Sequence, residues 1–412
     1  MTFDDFALRV PHVLLPGPDV DLALWPVIAC DQFTSQPEYW QEVKSLVGNA
    51  PSTLHMIYPE AWLSQGDGRI DRINEYMRAD ALRALTRQVH AFEIVWRETP
   101  SGTRLGLMAE IDLERYDPAP GSASLIRATE ATVPERIPPR VRIRRHATLE
   151  TPHAILLVDD PGHTLIEPLA QALSTAQRLY DTPLMLGGGR LWAASVPGAL
   201  HPGMLRALSD LMQASGGLLF AVGDGNHSLA TAKACWDAIR PTLSPEEAAQ
   251  HPARYALVEI ENLYDPALRF EPIHRLLTGV DAGDIQRCFI DWLSRRGMGV
   301  TPFGPCRFVS GGKTLTFGLT GGQNPLALAC IQPFLDEYIS SHPGAAIDYV
   351  HGEDALLSLV QQGSSGVLLP PFDKSALFPS VRLGGSLPRK TFSMGSAREK
   401  RYYMECRSLI TP

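Results

Sequence analysis

The chain has 412 residues, of which 44% are hydrophobic and 20% are charged, and this composition excludes a disordered protein. Its 37 lysines and arginines against 45 acidic residues give a net charge of −8, which argues against nucleic acid or an anionic membrane as a partner. No apolar run approaches the roughly 18 residues of a membrane span, so we expect a cytoplasmic protein without a membrane anchor. The six cysteines form no Cys-x-x-Cys pair and therefore indicate neither a zinc site nor a disulfide framework.

The first third of the chain alternates helix and strand signals. A capping box that begins at Ser35 predicts a helix through Val47, and the composition of 70–88 predicts a second one. Runs rich in β-forming residues predict strands at 53–58, 91–99 and 103–112, the last two joined as a hairpin.

The middle third predicts helices over 165–179 and 204–214 and a strand at 154–158. A strand at 218–222, a helix over 228–240 and a strand at 255–260 follow one another as a β-α-β unit, which favours a partly parallel sheet. The last third predicts helices at 285–296 and 354–362, and short strands at 314–319, 326–331, 366–369 and 402–410.

We therefore expect a mixed α/β fold, with a partly parallel sheet around the central β-α-β unit and a β-rich C-terminal part. The pattern suggests three domains: an N-terminal α/β domain (1–150), a central domain with an Asp-Gly-Asn-His loop (151–280) and a C-terminal α+β domain (281–412). The sequence leaves the oligomeric state open.

The loop between the central strand and its helix, residues 223–228, carries the strongest functional signal. Gly225 can adopt a positive φ and let a ligand approach the backbone, and Ser228 is a good N-cap. The start of the helix would present unpaired N–H groups, which attract an anion such as phosphate. Asn226 lies beside them and is a further candidate ligand-binding residue. Lys233 projects near the same helix face, either to cover apolar surface or to reach the site.

Asp224 in this loop would repel a phosphate unless a cation lies between them or the carboxylate acts as a base. His227 adds a group that can donate to phosphate when protonated, or carry a proton near pH 7. The alternative is that Asp224, Asn226 and His227 only satisfy turn and cap hydrogen bonds. A dinucleotide site is a weaker alternative, because residue 228 is Ser where the G-x-G-x-x-G motif has its third glycine.

Charged residues elsewhere in the chain are further ligand-binding candidates. The two-residue period of Arg140, Arg142 and Arg144 would place them on one face of a strand, where they could bind an anion or simply face solvent. The other candidates are charged residues that lie near predicted helix starts or loops, where ion pairing or solvent exposure is the alternative: Arg127, Glu130, Arg136, His274, Arg275 and Lys390.

These pieces resemble the domain of unknown function 1015 family, whose signature after a strand is Asp-Gly-His-His-Arg-Tyr-Glu-Thr-Ala. Here the matching positions are Asp224, Gly225, His227, Thr231 and Ala232, and the departures are Asn226, Ser228, Leu229 and Ala230. The missing arginine removes a guanidinium from this helix start. Further similarity lies at His274 and Arg275, at Lys390, and at Glu130 and Thr132.

The Asp-Gly-x-His loop also resembles a short loop of the ParB and sulfiredoxin superfamily, which includes phosphate-handling enzymes and a free-serine kinase. The resemblance implies a kinase or phosphatase acting on a small phosphorylated metabolite or a nucleotide, with serine as a candidate substrate and with Mg²⁺ and a nucleotide as candidate cofactors. Asp224 would be the base or a Mg²⁺ ligand, and His227 the donor or proton carrier. The competing hypothesis is a regulatory module that binds a nucleotide or ligand without chemistry.

Overall fold

The computed structural model describes residues 1–66, 68–130, 132–322 and 324–411. Within these ranges the chain forms twelve α-helices. The helices are α1 (Pro37–Val47), α2 (Gly68–Tyr76), α3 (Leu82–Ala84), α4 (Ile137–Arg144), α5 (Glu167–Ala172), α6 (His201–Ala214), α7 (Asn226–Ile239), α8 (Pro245–Gln250), α9 (Ala282–Ser294), α10 (Leu328–Ser341), α11 (Glu353–Val360) and α12 (Leu377–Gly384).

The strands of the described residues follow in chain order. They are β1 (Leu8–Arg9), β2 (His12–Leu15), β3 (Arg87–His90), β4 (Glu93–Thr99), β5 (Gly102–Asp112), β6 (Tyr116–Asp117), β7 (Ile126–Ala128), β8 (Leu149–Glu150), β9 (Ile155–Val158), β10 (Tyr180–Leu184), β11 (Gly189–Ser195), β12 (Phe220–Asp224), β13 (Tyr255–Asn262), β14 (Phe270–Thr278), β15 (Gly299–Ser310), β16 (Lys313–Thr320), β17 (Ala346–His351), β18 (Ser365–Leu368), β19 (Phe392–Met394) and β20 (Arg407–Ser408).

The larger sheet has ten strands in the order β10-β11-β4-β5-β13-β9-β12-β7-β6, with β1 also paired to β5. Three of its pairs are parallel, namely β12 with β7, β13 with β9 and β6 with β7, and the other pairs are antiparallel. The fold is therefore a mixed α/β fold with parallel pairs, as predicted. The first two predicted domains both contribute strands to this sheet, and the domain boundaries stay a prediction.

The central strand, helix and strand are present as β12, α7 and β13. Strand β9 lies between β12 and β13, antiparallel to the first and parallel to the second, so β12 and β13 run in opposite directions. The parallel neighbour of β12 is β7, and this pairing places the carboxyl ends of β7 and β12 side by side.

The smaller sheet has six strands in the order β16-β15-β18-β14-β17, with β19 also paired to β14. Helices α9 and α10 pack on one face of it around Trp292, Phe334 and Phe308. On the other face, Leu356 and Val360 of α11 pack against Leu276 and Leu368.

Three segments that were predicted as strands are helical instead. Residues 140–144 belong to helix α4 instead of a strand, because Pro138 and Pro139 fit the first turn of a helix and the following residues continue it. Residues 328–331 begin helix α10, whose buried Leu328, Ile331 and Leu335 recur with helical spacing. Residues 53–55 form a 3₁₀ turn.

The C-terminal segment, residues 396–408, runs across one face of the larger sheet. Its tyrosines, Met404 and Cys406 share a hydrophobic cluster with side chains of β4 and β5. Buried ion pairs fix it to the sheet: Arg401 Nη1 lies 2.6 Å from Glu259 Oε2 of β13, and Arg407 Nη1 lies 3.5 Å from Glu110 Oε2 of β5. Of the strand predicted over 402–410, only β20 is present.

Candidate functional site

The turn between β12 and α7 places the predicted loop residues at the edge of the larger sheet where the carboxyl ends of β7 and β12 lie side by side. Gly225, with φ +78° and ψ +23°, is the N-cap, and α7 begins at Asn226. Ser228 was predicted to be the N-cap, but it lies inside the first turn of α7. A Cβ atom on Gly225 would lie 2.8 Å from both Ala154 Cα and His153 Cδ2, so this position has room for glycine only.

Asp224 is the last residue of β12, and the charge of its carboxylate is balanced by a neighbouring lysine. Its Oδ1 accepts a hydrogen bond from Gly225 N at 2.9 Å, and its Oδ2 lies 3.1 Å from Lys400 Nζ. Lys400 belongs to the C-terminal segment and was not predicted as a site residue. It supplies the cation that a phosphate beside Asp224 would require.

His227 is a neutral hydrogen-bonding group in this arrangement. Its Nε2 accepts a hydrogen bond from Val133 N at 3.1 Å, which assigns the ring proton to Nδ1. Burial and then the charges of Arg140 and Arg136 lower the pKa of His227 to about 4. The ring is therefore uncharged at pH 7, and only its Nδ1–H can donate to a phosphate.

Glu130 follows the end of β7, next to the end of β12. Its Oε1 accepts a hydrogen bond from Lys390 N at 3.1 Å. Burial raises the pKa of Glu130; the charge of Lys390 opposes this and the charge of Asp224 adds to it. Glu130, Asp224 and Lys390, which are distant in the sequence, are thus neighbours in space.

Arg275 positions this neighbourhood from behind. It is fully buried in β14, and its guanidinium donates to Lys390 O at 2.9 Å, to Arg389 O at 3.1 Å and to Gln332 Oε1 at 2.7 Å. Lys390 has φ +56°, which non-glycine residues rarely adopt. Arg275 donates to the carbonyl group before this strained residue and to its own carbonyl group. Arg275 therefore contacts the lysine segment instead of facing solvent.

The other predicted residues lie at varying distances from this edge. His274 is buried, and its Nδ1 accepts a hydrogen bond from Leu369 N at 3.2 Å. Arg127 donates to Gly217 O at 3.0 Å, before β12 begins, so it lies toward the opposite end of that strand. Lys233 Nζ pairs with Asp237 of the same helix at 2.6 Å. Arg136 is exposed, and its charge reaches His227.

Asn226 is buried, and its amide is only partly satisfied. Its Nδ2 lies 3.4 Å from Val222 O and 3.5 Å from Thr129 Oγ1. Among the described residues, its Oδ1 has no hydrogen-bond partner. A buried acceptor without a partner at a helix start is unusual, and a bound donor would satisfy it.

His153 and Asp31 form a second charged group beside Gly225 that was not predicted from the sequence. His153 Nε2 lies 3.7 Å from Asp31 Oδ2, and its Nδ1 lies 2.5 Å from the Tyr403 hydroxyl, which accepts from Cys30 N at 3.0 Å. Burial alone would lower the pKa of His153, but the Asp31 carboxylate raises it well above its usual range. Burial would likewise raise the pKa of Asp31, yet the charge of His153 and its hydrogen bond lower it. The pair therefore favours a protonated His153 beside an ionised Asp31.

Together these residues form a cluster of opposite charges around the neutral His227, which we call the charged ring. Arg140 belongs to it, because its guanidinium pairs with Glu60, whose N–H donates to Cys30 O at 2.7 Å, beside Asp31. Its members come from both ends and the middle of the chain: Asp31, Glu60, Glu130, Arg136, Arg140, His153, Asp224, His227, Lys390 and Lys400.

The family of the chain follows from its sequence. A family model described as a protein of unknown function (DUF1015) matches residues 14–335, and the chain belongs to that family. This confirms the resemblance stated above, and the local likeness to the ParB and sulfiredoxin loop stays a prediction. No curated protein matches the chain.

Three solved structures are similar to it at low identity. A mutant free serine kinase in complex with AMP has 12% identity and a TM-score of 0.40, over 73% of this chain and 92% of that one. A conserved hypothetical protein from Pyrococcus furiosus has 11% identity and a TM-score of 0.37, over 73% and 95%. SbnI with a C-terminal truncation, from Staphylococcus aureus, has 9% identity and a TM-score of 0.35, over 70% and 83%.

No helix in the described ranges combines the length and the apolar composition needed to cross a membrane.

Proposed function

We propose that this protein is a cytoplasmic enzyme of phosphoryl transfer, a kinase or a phosphatase, that acts on a small phosphorylated metabolite or a nucleotide at the charged ring. The observation that carries the proposal is the pairing of cations with carboxylates at the neighbouring ends of two parallel strands. Lys400 Nζ contacts Asp224, and Glu130 accepts a hydrogen bond from the backbone N–H of Lys390 and lies within reach of the charge of that lysine. Ligands of α/β proteins commonly bind beyond the carboxyl ends of such strands.

The site is suited to an anionic ligand. Lys390, Lys400 and Arg136 supply charges that can face a phosphate, and the N–H groups at the start of α7 add the positive end of a helix of 14 residues. Asn226 Oδ1, buried and without a described partner, would accept a hydrogen bond from a hydroxyl or amino group of the same ligand.

The carboxylates are suited to the proton transfer. In a kinase reaction the acceptor hydroxyl oxygen bonds to phosphorus, its proton passes to a carboxylate, and the nucleotide oxygen leaves with the bonding electrons. Burial and the charge of Asp224 raise the pKa of Glu130. A general base works best when its pKa lies near the pH at which the enzyme operates, and this shift brings the pKa of Glu130 closer to that pH. Asp224, fixed by Lys400 and Gly225, is the second candidate base. His227 would orient the phosphate through Nδ1–H.

Mg²⁺ fits this set of donors. Magnesium sites in nucleotide enzymes use one or two carboxylates together with phosphate oxygens, and Asp224 and Glu130 are close enough for the charge of one to raise the pKa of the other. The one of these two residues that does not serve as the base would hold the ion, which would neutralise phosphate charge.

To test this proposal, the protein is incubated with ATP or ADP and a panel of small alcohols that includes serine. A second incubation contains phosphoserine, and both are carried out with and without Mg²⁺. ³¹P NMR then follows the phosphorus signals. We expect a new phosphomonoester signal or release of inorganic phosphate, and we expect Glu130→Gln to abolish it. The matched control is Glu38→Gln on the exposed start of α1, which should keep full activity.

A thermal shift with nucleotide but no turnover under every condition would favour the sensing module over the enzyme. Neither shift nor turnover would overturn both hypotheses. A nucleic-acid role loses its strand of arginines, because residues 140–144 are helical and Arg140 and Arg144 pair with Glu60 and Glu150.

A further inference from the structure

The smaller sheet carries an apolar cavity that none of the charged-ring residues line. Its volume is about 340 Å³, and it lies between α9, α10 and the β15–β16 hairpin. The walls are aromatic and aliphatic, with Phe289, Phe317 and Phe334 among them. Ile290, Val300 and Leu315 also line it and are exposed.

Phe303 lies on the same hairpin, directly after the lining residues Val300, Thr301 and Pro302. It is 84% exposed, the highest fraction among the large hydrophobic residues that the structure describes. A phenyl ring in water therefore stands beside an apolar cavity whose mouth is also apolar. The chain carries both a projecting side chain and a cavity that could receive one.

The rest of the hairpin has the composition of an interface core. The only charged residues of β15 and β16 are Arg307 and Lys313, and Arg307 pairs with Glu353 of α11. Interface cores are depleted of charge in this way. Strand β16 is also the last strand of its sheet, and Lys313, at its first position, is its one charged residue. Exposed edge strands usually carry more charges than this, or are covered.

We propose that a second copy of this chain covers this face, with Phe303 of each copy inserted into the cavity of the other. A two-fold dimer buries the same patch on both subunits, so it requires a surface that is complementary to itself. The adjacent projecting phenylalanine and cavity meet that requirement, whereas a small apolar ligand would fill the cavity and leave Phe303 in water. A stable interface buries about 800 Å² on each subunit, so Ile290, Val300 and Leu315 would pack around the inserted rings.

The test measures the mass of the full chain by analytical ultracentrifugation from low micromolar to about 100 μM. We expect a dimer, and we expect Phe303→Ser to raise its dissociation constant by at least about tenfold, as truncation of a central aromatic residue does. The matched control is Leu383→Ser, because Leu383 on α12 is also a largely exposed apolar residue and does not line the cavity.

A second variant, Leu315→Lys, places a charge at the mouth of the cavity and should weaken the dimer without touching the ring of Phe303. Thermal unfolding of each variant at a concentration where the wild type is monomeric checks that the fold is kept. A wild-type monomer at about 100 μM would overturn the proposal. So would a dimer that Phe303→Ser and Leu383→Ser leave equally stable, or a monomer whose cavity binds an apolar fluorescent probe.

Discussion

Lys400 Nζ lies 3.1 Å from Asp224 Oδ2 and joins the C-terminal segment to the end of a central strand. This contact resolves a conflict in the sequence, where an acidic residue stands in a loop otherwise suited to phosphate. The lysine neutralises the carboxylate and leaves the loop able to accept an anion.

Asp224→Asn should reduce turnover by about two orders of magnitude or more, because it removes a carboxylate that serves as base or metal ligand. Ligand affinity should stay the same or improve, since the repulsion is gone and Lys400 is released toward the phosphate. Steady-state kinetics and isothermal titration calorimetry with the same nucleotide measure the two effects. Unchanged turnover would remove Asp224 from the mechanism.

Lys400→Met should weaken nucleotide or phosphate binding by about tenfold, because a charge-assisted contact to the anion is lost. Lys400→Arg should restore part of the binding, which a purely structural role would not require. Binding is measured by titration calorimetry. Lys44→Met, on the exposed surface of α1, is the control and should bind as the wild type does. Equal affinity of Lys400→Met and Lys44→Met would contradict the assignment.

Stability at acidic pH should depend on His227. Its pKa is about 4 in the folded protein, below the value of 6.5 expected when unfolded. Between these values the unfolded chain binds a proton that the folded chain does not, so this contribution to stability is complete above about pH 6.5 and is lost as the pH falls toward 4. Urea unfolding at pH 7.5 and pH 5 should show a smaller loss for His227→Gln than for the wild type. An identical loss in both would show that His227 is not held neutral.

Gly225→Ala should destabilise the protein by about 2 kcal/mol or more, because the left-handed conformation is strained for alanine and the new Cβ would meet Ala154 and His153. Gly121→Ala separates the two causes: Gly121 has nearly the same φ, +77°, but open space where its new Cβ would lie. We expect its cost to be about 1 kcal/mol. Urea denaturation measures both, and equal costs would show that the collision is relieved by movement.

Arg401→Met should destabilise the fold by about 3–5 kcal/mol, because it leaves Glu259 and Glu405 buried without their cation. The comparison is Arg83→Met, which breaks an exposed pair with Asp80 and should cost less than about 1 kcal/mol. Chemical denaturation measures both. Similar small effects would mean that the buried carboxylates lose their charge instead.

Local features of the fold could be predicted from the sequence. The hairpin of β4 and β5 and helices α6 and α7 carry their periodicity and turn residues within a short stretch. The helix at 137–144 was missed because a two-residue spacing of arginines outweighed the two prolines that start it. The helix at 328–341 was missed because only its first apolar residues were considered.

The charged ring could be predicted only in part. Asp224, Glu130, His227 and Lys390 were found from local motifs and from the family resemblance, whereas Lys400 was missed because its partner is distant in sequence and no local pattern marks such a contact. Asp31 and His153 were missed for the same reason. Arg275 was predicted to be a ligand-binding or exposed cation at a helix start, but it is buried in strand β14, and its burial depends on carbonyl groups from a segment more than a hundred residues later.

The position of Lys400 in the chain also has a consequence for synthesis. Every strand of the ten-stranded sheet ends by Asn262, so the ribosome has made the whole sheet well before it reaches this lysine. Until the C-terminal segment emerges and docks, Asp224 lacks its countercharge and the face above β4 and β5 lacks its cover. The nascent polypeptide should therefore acquire its anion affinity abruptly and late, as one of the last events of its biogenesis.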